Sequence, residues 1–318
     1  MRAIGYYIDS KIGDSVIALP AIYALKTLHS QAKLYIFCNA ITKNLYSPFE
    51  WIEEIVLIDE NLISHINERN LDILISSNAD KNTIHYLKES SVPLIYTFLK
   101  PYNVFDSRLR LLFANLITKP QTIKETLIDL VWLTRNKREK TKPSGNMPKL
   151  KTFPHNVQAI DIFLSSLPIN QKKLIMVNPF GYATKVNLSL DEYAHIIQAL
   201  LKEHFVILPT FADKDLLIKS SFPQEILSHP SFCIFHNDWD LLNLVELISR
   251  IDLLISPSTG NIHIAQNLGI TSIGIFSLKD TILWGGDKIH YVINPQHSQK
   301  TLKKILALAH KLLFSKNS

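Results

Sequence analysis

The sequence predicts an α/β protein built from two Rossmann-like domains, and three observations lead to this prediction. The chain has 318 residues, more than one hydrophobic core usually supports, and this length fits two domains of roughly 150 residues. Short apolar runs alternate with helical patterns in both halves, as in parallel sheets covered by helices. Residues 135–151 lose this periodicity and gain Pro, Gly, Ser and Lys, as linkers do. We therefore place the domains at residues 1–150 and 151–318.

The composition is that of a globular protein of the cytoplasm. Hydrophobic residues make up 47% of the chain and charged residues 19%, which is unlike a disordered protein. The two cysteines, Cys38 and Cys233, are far apart and lack metal-type spacing, so we expect neither disulfides nor a zinc site. Asp9, Lys11 and Asp14 interrupt the N-terminal segment and argue against a signal peptide. No window approaches the length of an apolar membrane span.

The formal net charge of +6 makes acidic partners plausible. Nucleotide phosphates, anionic lipid and nucleic acid all belong to this class. Much of the excess lies in residues 135–151 and 300–316. The chain has no zinc-finger spacing, no aromatic RNA-binding motif and no basic recognition helix, so nucleic acid is not an expected partner.

In the first half, the apolar runs predict a parallel sheet with helices on both faces. A loop of residues 9–15 leaves the first strand, and a helical stripe extends from Val16 to about residue 28. Pro20 has no N–H to donate, so it lies in the first turn of this helix or bends it. The predicted strands are residues 3–8, 34–38, 54–58, 71–76 and 94–96.

The alternation of strands and helices resumes in the second half. Ser189 and Glu192 are spaced as a capping box that starts a helix, and Gly269 is expected to end another in the left-handed conformation. The predicted strands are residues 174–178, 205–208, 251–255 and 271–276, and the predicted helices begin near residues 189, 240 and 261 and span about 299–314.

Residues 251–276 form the most informative unit, a strand, a polar loop, a short helix and a second strand. Thr259 and Gly260 lie where the helix begins, so free backbone N–H groups and the positive end of the helix dipole favour an anion such as a diphosphate there. In open α/β sheets, ligands bind beyond the carboxyl ends of strands. An ordinary helix cap is the alternative for this stretch.

Several catalytic signatures are absent from the chain. It lacks G-x-G-x-x-G after the first strand, G-x-x-x-x-G-K-[ST] and G-x-S-x-G, which argues against dehydrogenases, P-loop enzymes and α/β-hydrolases. The histidines show no H-E-x-x-H pairing. Two Asp-x-Asp triplets, residues 213–215 and 238–240, could hold a divalent metal, but such triplets are common on solvated surfaces. We expect neither a metal site nor a bound cofactor.

Asp14 lies at the mouth of the first strand and just ahead of the first helix. A carboxylate in this position can accept a proton from an attacking hydroxyl that comes within hydrogen-bond reach. A helix N-cap is the alternative, and position alone favours the cap.

Three groups of residues resemble successive signatures of glycosyltransferase family nine, the ADP-heptose:lipopolysaccharide heptosyltransferases. The resemblance extends over nearly the whole chain in order and spacing. Each motif is modest alone, but three in register on a two-domain α/β plan are fairly specific. The motifs are Gly13-Asp14-Ser15-Val16 leading into residues 19–25, Asn178-Pro179-Phe180-Gly181 followed by Lys185, and Ser258-Thr259-Gly260 with His263 and Leu268-Gly269.

The resemblance implies a GT-B fold, in which the N-terminal domain binds the acceptor and the C-terminal domain binds the nucleotide sugar across a cleft. It makes Asp14 the catalytic base, with Gly13 and Ser15 in the adjoining acceptor loop. For His263, a core histidine beneath the loop is the alternative. The implied donor-binding residues are Asn178, Lys185, Ser258, Thr259, Gly260 and His263.

The implied activity is inverting, metal-independent transfer of a heptose from ADP-heptose to a lipopolysaccharide-type acceptor. One residue departs from the family pattern, because Ser258 stands where the family usually has Asp, sometimes Asn. Ser258 favours a GT-B enzyme that uses another nucleotide sugar. A non-catalytic sugar-nucleotide-binding protein is a further alternative, although Asp14 and Lys185 argue against it.

The basic terminal helix has two interpretations. By resemblance it packs back on the N-terminal domain, and a second hypothesis is peripheral contact with anionic lipid of the inner membrane. Two interpretations are also open for the basic residues Arg108, Arg110 and the linker lysines. They bind an acidic, lipid-linked acceptor, or they are solvated charges on the surface.

Overall fold

A computed structural model of the chain describes residues 1–103, 106–113, 121–136, 139, 141–142, 148–181, 186–210, 212–237 and 240–314. The chain divides into two compact units, Met1–Pro148 and Lys149–Ser318. Each unit has a parallel six-stranded sheet and helices between successive strands. The predicted fold class, α/β with two Rossmann-like domains, is confirmed.

The first unit is built on a sheet with strand order β3-β2-β1-β4-β5-β6. The central strand β1, Ala3–Ile8, is buried along its whole length, as expected of a strand covered on both faces. The other strands are β2 Lys33–Cys38, β3 Glu54–Leu57, β4 Ile73–Ser76, β5 Ile95–Phe98 and β6 Leu109–Leu112. The helices are α1 Ile12–Leu28, α2 Lys43–Tyr46, α3 Leu62–Glu68, α4 Lys81–Leu87 and α5 Ile123–Trp132, with a 3₁₀ turn at Pro101–Asn103.

The second unit has the same plan, with strand order β12-β11-β10-β7-β8-β9. Its strands are β7 Leu174–Val177, β8 Phe205–Thr210, β9 Phe232–His236, β10 Leu253–Pro257, β11 Ser272–Phe276 and β12 Ile289–Ile293. Its helices are α6 Pro154–Ser165, α7 Leu190–Leu200, α8 Asp215–Ser221, α9 Gln224–Leu227, α10 Leu241–Ser249, α11 Gly260–Leu268, α12 Leu278–Leu283 and α13 Gln299–Phe314, with a 3₁₀ turn at Ala212–Lys214.

Local signals placed several helix ends correctly. Ser189 and Glu192 form the predicted capping box of α7. Gly269 ends α11 with φ of 81°, a conformation that glycine adopts without strain. Pro20 lies in the interior of α1 rather than in its first turn, so the carbonyl of Val16 has no N–H to accept from four residues later.

The strands β6, β9 and β12 were not predicted. β6 and β12 carry a basic residue within a short run, and β9 ends in histidine. β6 and β9 form one edge of their sheets, and β12 forms the opposite edge of the second sheet. An edge strand is buried less regularly than a central one, so its apolar pattern is weaker.

The terminal helix α13 has its apolar face within the second unit. Ile305, Ala309 and Leu313 recur at four-residue spacing and are buried in the same cluster as the core of the second sheet. The helix packs beside α7. The apolar stripe of α13 is therefore covered by its own unit, and packing of this helix on the N-terminal domain stays a prediction. In the described part of the chain, no helix is long and apolar enough to cross a membrane.

Candidate functional site

Each sheet has one point where the strand order reverses. In the first unit this point lies between β1 and β4, and in the second between β7 and β10. Open α/β sheets bind ligands at such points, in the crevice beyond the carboxyl ends of the strands. Each unit carries its candidate residues there, because Asp14 lies shortly after β1, Asn178 directly follows β7 and Thr259 follows β10.

Asp14 is the third residue of α1, and its carboxyl group lies at the N-terminal end of that helix. The N-cap of the helix is Lys11, whose backbone is extended and whose side chain makes no capping bond. The N-cap interpretation of Asp14 is therefore wrong. Asp14 contacts the cap residue from within the first turn, because its carboxylate accepts a hydrogen bond from the backbone of Lys11.

The environment of Asp14 makes its carboxylate a better proton acceptor than a solvated one. Partial burial raises the pKa of the Asp14 carboxyl, while the charge of Lys11 and the hydrogen bond from its backbone lower it, and burial is the largest of these effects. A carboxylate with a raised pKa accepts a proton more readily, provided that it is still ionised at the working pH. The structure therefore supports proton transfer as a chemical role for Asp14.

The residues on either side of Asp14 have different surroundings. Gly13 is half-buried in the first turn of α1. Ser15 is fully buried, and its hydroxyl has no hydrogen-bond partner among the described residues. The carbonyl of Ser15 accepts a hydrogen bond of 3.1 Å from the hydroxyl of Tyr46. The hydroxyl of Ser15 therefore faces the interior of its unit.

In the second unit, three polar side chains join the ends of β7 and β10. The side-chain nitrogen of Asn178 lies 3.1 Å from the hydroxyl of Ser256 and 3.2 Å from that of Thr259. The two hydroxyls are 3.1 Å apart. Asn178 and Ser256 are buried, so these bonds form in a low-dielectric environment. This cluster holds the turn between β10 and α11 against the neighbouring strand.

Thr259 is the N-cap of α11, and Gly260 is the first residue of this nine-residue helix, as predicted. The Thr259 side chain makes no capping hydrogen bond to the helix, because its hydroxyl is held by Asn178 and Ser256. Ser258 lies just before the cap and is half-buried. First-turn N–H groups of a helix need acceptors from outside the helix, and an anion can provide them.

His263 lies one turn into α11 and is buried, with 5% of its surface exposed. Its Nδ1 atom has no hydrogen-bond partner among the described residues. Burial lowers the pKa of His263 to about 4, so the imidazole is neutral at pH 7. The ring of Trp284 lies beside it, with centroids 6.1 Å apart. The core-histidine interpretation agrees with this burial, while the unpaired nitrogen can accept or donate one bond to a ligand.

Sequence reasoning missed Ser256 and Trp284. Ser256 is a buried polar residue within an otherwise apolar strand, and this contrast was the signal that could have identified it. Trp284 follows α12 and lies far from the motif that contains His263. Its proximity to His263 depends on the packing of two elements, and the local sequence contains no sign of it.

Two predicted features lie wholly or partly outside the described residues. Lys185 is one of them, and Asp238 of the second Asp-x-Asp triplet is another. In the first triplet, Asp215 accepts a hydrogen bond of 2.7 Å from His236. Asp240 caps α10 through the backbone N–H of Leu242. In the described ranges, no three His, Cys, Asp or Glu side chains are grouped to hold a metal ion.

The two arginines proposed to meet an acidic acceptor make local contacts, and their contact with an acceptor stays a prediction. Arg108 donates hydrogen bonds to the carbonyl groups of Ser90 and Lys88, at 2.9 and 2.5 Å. Arg110 donates to the carbonyl of Ser107 at 2.7 Å. These bonds hold the segment around β6, so Arg108 in particular has a structural role.

Comparison with known proteins supports the glycosyltransferase resemblance. No protein-family model matches the chain. A protein of Haemophilus influenzae that carries the provisional name of glycosyltransferase is 22% identical over 297 residues, covering 84% of this chain and 80% of that protein.

Solved structures match nearly the whole chain. The ADP-heptose lipopolysaccharide heptosyltransferase II of Escherichia coli has a TM-score of 0.81 at 14% identity, covering 99% of this chain and 100% of the other. A glycosyl transferase family 9 protein of Veillonella parvula has a TM-score of 0.82 at 12% identity, covering 99% and 97%. The E. coli heptosyltransferase WaaC with ADP has a TM-score of 0.75 at 14% identity, covering 98% and 100%. The predicted resemblance and the GT-B type of fold are confirmed.

A more distant match bears on the metal question. The heptosyltransferase TibC, described as iron-containing and bound to ADP-D-β-D-heptose, has a TM-score of 0.55 at 11% identity, covering 100% of this chain and 79% of the other. The expectation that this chain needs no metal therefore stays a prediction.

Proposed function

We propose that this chain is a glycosyltransferase of the heptosyltransferase type, which transfers a sugar from a nucleotide sugar with inversion at the anomeric carbon. The observation that carries the proposal is the placement of the candidate residues. A proton-accepting carboxylate and an anion-favouring helix start occupy the strand-order reversal points of two successive Rossmann-like units. Solved structures that match along the whole chain support the same function.

The first step of the proposed reaction is nucleophilic attack by an acceptor hydroxyl. Asp14 takes the hydroxyl proton while the oxygen forms a bond to the anomeric carbon of the donor. The bond from that carbon to the diphosphate oxygen breaks, and the bonding electrons leave with the diphosphate. Attack from the side opposite the leaving group inverts the anomeric centre. One carboxylate is sufficient, because a nucleoside diphosphate leaves without being protonated.

The donor side of the site stabilises the departing diphosphate. Negative charge grows on the diphosphate in the transition state, so oriented N–H groups at the start of α11 interact with it more strongly than with the intact donor. Lys185 adds a positive charge in this proposal. Asn178 and Ser256 orient the Thr259 turn, and His263, one turn into α11, has an unpaired Nδ1 atom. This arrangement supplies without a metal the charge stabilisation that a cation would otherwise provide.

ADP-heptose is the donor that we propose first, since WaaC, whose structure contains ADP, has a similar fold. Ser258 favours the alternative of another nucleotide sugar, because a serine in the usual position of an aspartate changes the hydrogen bonds available to the donor sugar. The proposed acceptor is a lipid-linked, lipopolysaccharide core-type oligosaccharide in the cytoplasm. A non-catalytic sugar-nucleotide-binding protein remains the outcome to be excluded by experiment.

We also propose that α13 contacts an anionic membrane surface. The outward side of this helix carries Lys300, Lys303, Lys304 and Lys311, all exposed, and no acidic residue occurs within Gln299–Phe314. The inward side is buried in the core of the second unit. A lysine stripe on a fixed helix attracts acidic headgroups without requiring the helix to insert. Such contact would bring the enzyme to a lipid-linked acceptor.

The deciding experiment combines binding and turnover. Thermal shift with a panel of nucleotide sugars and free nucleotides identifies the donor, since a ligand that binds the folded state raises Tm. Transfer from the best donor is then measured for the wild type and for Asp14→Ala. We expect Asp14→Ala to lose at least about a hundredfold in kcat while binding ADP as the wild type does. Substantial turnover by the variant removes Asp14 from the mechanism, and stabilisation without turnover for any acceptor favours a binding protein.

A further inference from the structure

We propose that Asn78 and Asn39 are positioning residues that hold the loop before Asp14, so that the carboxylate is presented in one orientation. This inference rests on the proposed function, in which Asp14 is the base. The loop between β1 and α1 has only three residues, Asp9 to Lys11. It is the sole covalent link between the strand and the helix that carries Asp14.

Asn78 forms a reciprocal pair with the backbone of Asp9. The Asp9 N–H donates to the side-chain oxygen of Asn78 at 2.9 Å, and the side-chain nitrogen of Asn78 donates to the Asp9 carbonyl at 2.9 Å. Both polar groups of one peptide residue are thus bonded to one amide side chain. Only a side chain with a donor and an acceptor on the same terminal group can make both bonds, and the amide of asparagine has both.

Asn39 holds the next part of the loop. Its side-chain nitrogen donates to the carbonyl of Ser10 at 2.9 Å and to the carboxylate of Asp9 at 3.1 Å. Its side-chain oxygen accepts from the backbone N–H and from the hydroxyl of Thr42, both at 3.1 Å. Thr42 is fully buried. All four hydrogen-bonding positions of the Asn39 amide are therefore in use, which fixes its orientation.

The two asparagines come from the strands on either side of β1. Asn39 follows β2 directly and Asn78 follows β4 by two residues, and β2 and β4 are the sheet neighbours of β1. The loop is therefore held from both sides at the point where the strand order reverses. Its last residue, Lys11, donates its backbone N–H to Asp14 and accepts from the N–H of Ser15 at 3.0 Å.

These contacts form a continuous path from the sheet to the candidate base. The asparagines hold Asp9 and Ser10, the loop ends at Lys11, and Lys11 is bonded to Asp14. A displacement of about 1 Å at a reacting group can cost a hundredfold in rate. Losing one asparagine should therefore reduce kcat more than it reduces the affinity for the donor, whose proposed site lies in the other unit.

The test compares Asn78→Ala with Asn67→Ala. Asn67 is a matched control, because its side-chain oxygen also holds a loop of the same unit, accepting from the N–H and the hydroxyl of Ser91 at 2.7 and 2.9 Å. Ser91 precedes the amino end of β5, whereas Asp14 follows the carboxyl end of β1, so the two lie at opposite ends of the parallel strands. We expect similar losses of Tm in the two variants. We expect kcat to fall about tenfold to a hundredfold in Asn78→Ala only, with KM for the donor unchanged.

A second readout does not depend on turnover. The Asp14 carboxyl is titrated by ¹³C NMR in protein labelled at aspartate, with Asp14→Asn used to assign its signal. Partial burial raises the pKa of this carboxyl, so a loosened loop should let water in and lower the pKa toward its ordinary value. We expect this change in Asn78→Ala and in Asn39→Ala, and no change in Asn67→Ala.

The outcomes separate the two proposals. An unchanged Asp14 titration and unchanged kcat in Asn78→Ala overturn the positioning role, whatever the reaction is. If Asp14→Ala turns over normally while the titration still shifts, the loop is held as described and the assignment of the base is wrong. If Asn78→Ala does not fold, Asn78→Ser replaces it, since serine adds no charge and keeps one hydroxyl, which is too short to bond both the N–H and the carbonyl of Asp9. A smaller effect in the same direction is then expected, and its absence overturns the proposal.

Discussion

The side-chain nitrogen of Asn178 lies 3.2 Å from the hydroxyl of Thr259, joining two residues that are 81 positions apart in the chain. The same nitrogen lies 3.1 Å from the hydroxyl of Ser256. Asn178 was expected to contact the donor, but its amide is already engaged by the turn. In the proposed reaction we therefore expect Asn178 to act on the donor through the turn that it holds.

Replacing Asn178 by alanine should loosen this turn. The buried hydroxyl of Ser256 and the part-buried hydroxyl of Thr259 lose a donor, so we expect a loss of about 1–3 kcal/mol in the free energy of unfolding and weaker binding of ADP. Asn267→Ala is the control, because Asn267 is buried at the other end of α11 and bonds the N–H of Leu150 at 2.7 Å. Calorimetric titration with ADP measures the affinity of each variant, and only Asn178→Ala should bind ADP more weakly than the wild type. Equal ADP affinities in the two variants would contradict the role of Asn178.

The pH dependence of transfer should report the charge of Lys11. This charge lowers the pKa of the Asp14 carboxyl, so Lys11→Met should raise that pKa further. Transfer requires ionised Asp14, so activity is lost as pH falls through its pKa, and the acidic limb of the profile should move to higher pH in the variant. Lys43→Met is the control, since Lys43 is not among the groups that shift the pKa of Asp14. An acidic limb that stays in place or moves to lower pH contradicts the prediction.

His263 should make the stability of the protein depend on pH. Its pKa is about 4 in the folded protein and about 6.5 when solvated, so the unfolded chain binds the extra proton first. The free energy of unfolding is therefore highest above pH 6.5 and decreases as pH falls toward 4. About 2 kcal/mol of it is lost between pH 7 and pH 5. Tm should therefore fall less over this interval in His263→Phe than in the wild type. His195→Gln, a change at a largely exposed histidine, should behave as the wild type does.

Ser258→Asp tests whether this position selects the donor. A carboxylate just before α11 interacts favourably with the helix N-terminus, worth about 0.3–1 kcal/mol, and should raise Tm of the free protein. The same charge should repel a free diphosphate and weaken ADP binding. If the natural donor is not ADP-heptose, kcat/KM for ADP-heptose should rise relative to other nucleotide sugars. Unchanged Tm, ADP affinity and donor ranking would show that Ser258 is not at the donor site.

Membrane contact through α13 should depend on its lysines. We expect the triple variant Lys300→Ala, Lys303→Ala and Lys304→Ala to lose binding to vesicles that contain anionic lipid, because each lysine near such a surface contributes about 1 kcal/mol. Flotation at low and high salt measures this binding. The control replaces three other exposed lysines of the second unit, Lys202, Lys219 and Lys288. Absence of wild-type binding at every salt concentration removes the membrane proposal.

Much of the fold was predictable because its strongest signals are local. The apolar run of residues 3–8 coincides with β1, and the Ser189 capping box and the Gly269 C-cap lie where local rules placed them. The start of α11 was predicted in the same way near residue 261, one residue after its observed start at Gly260. These features depend on residues within a few positions of each other, so one stretch of sequence contains all the information needed.

The surroundings of the candidate residues could not be predicted in this way. Local sequence is sufficient for the two α/β units and for the placement of Asp14 and Thr259 at strand and helix ends. Local sequence does not show which strands are neighbours in a sheet. The strand order brings Asn39 and Asn78 to the loop before Asp14, and it brings Asn178 to Thr259. Tertiary structure also placed the apolar face of α13 in the second unit, since an apolar stripe predicts that a helix is covered but not which surface covers it.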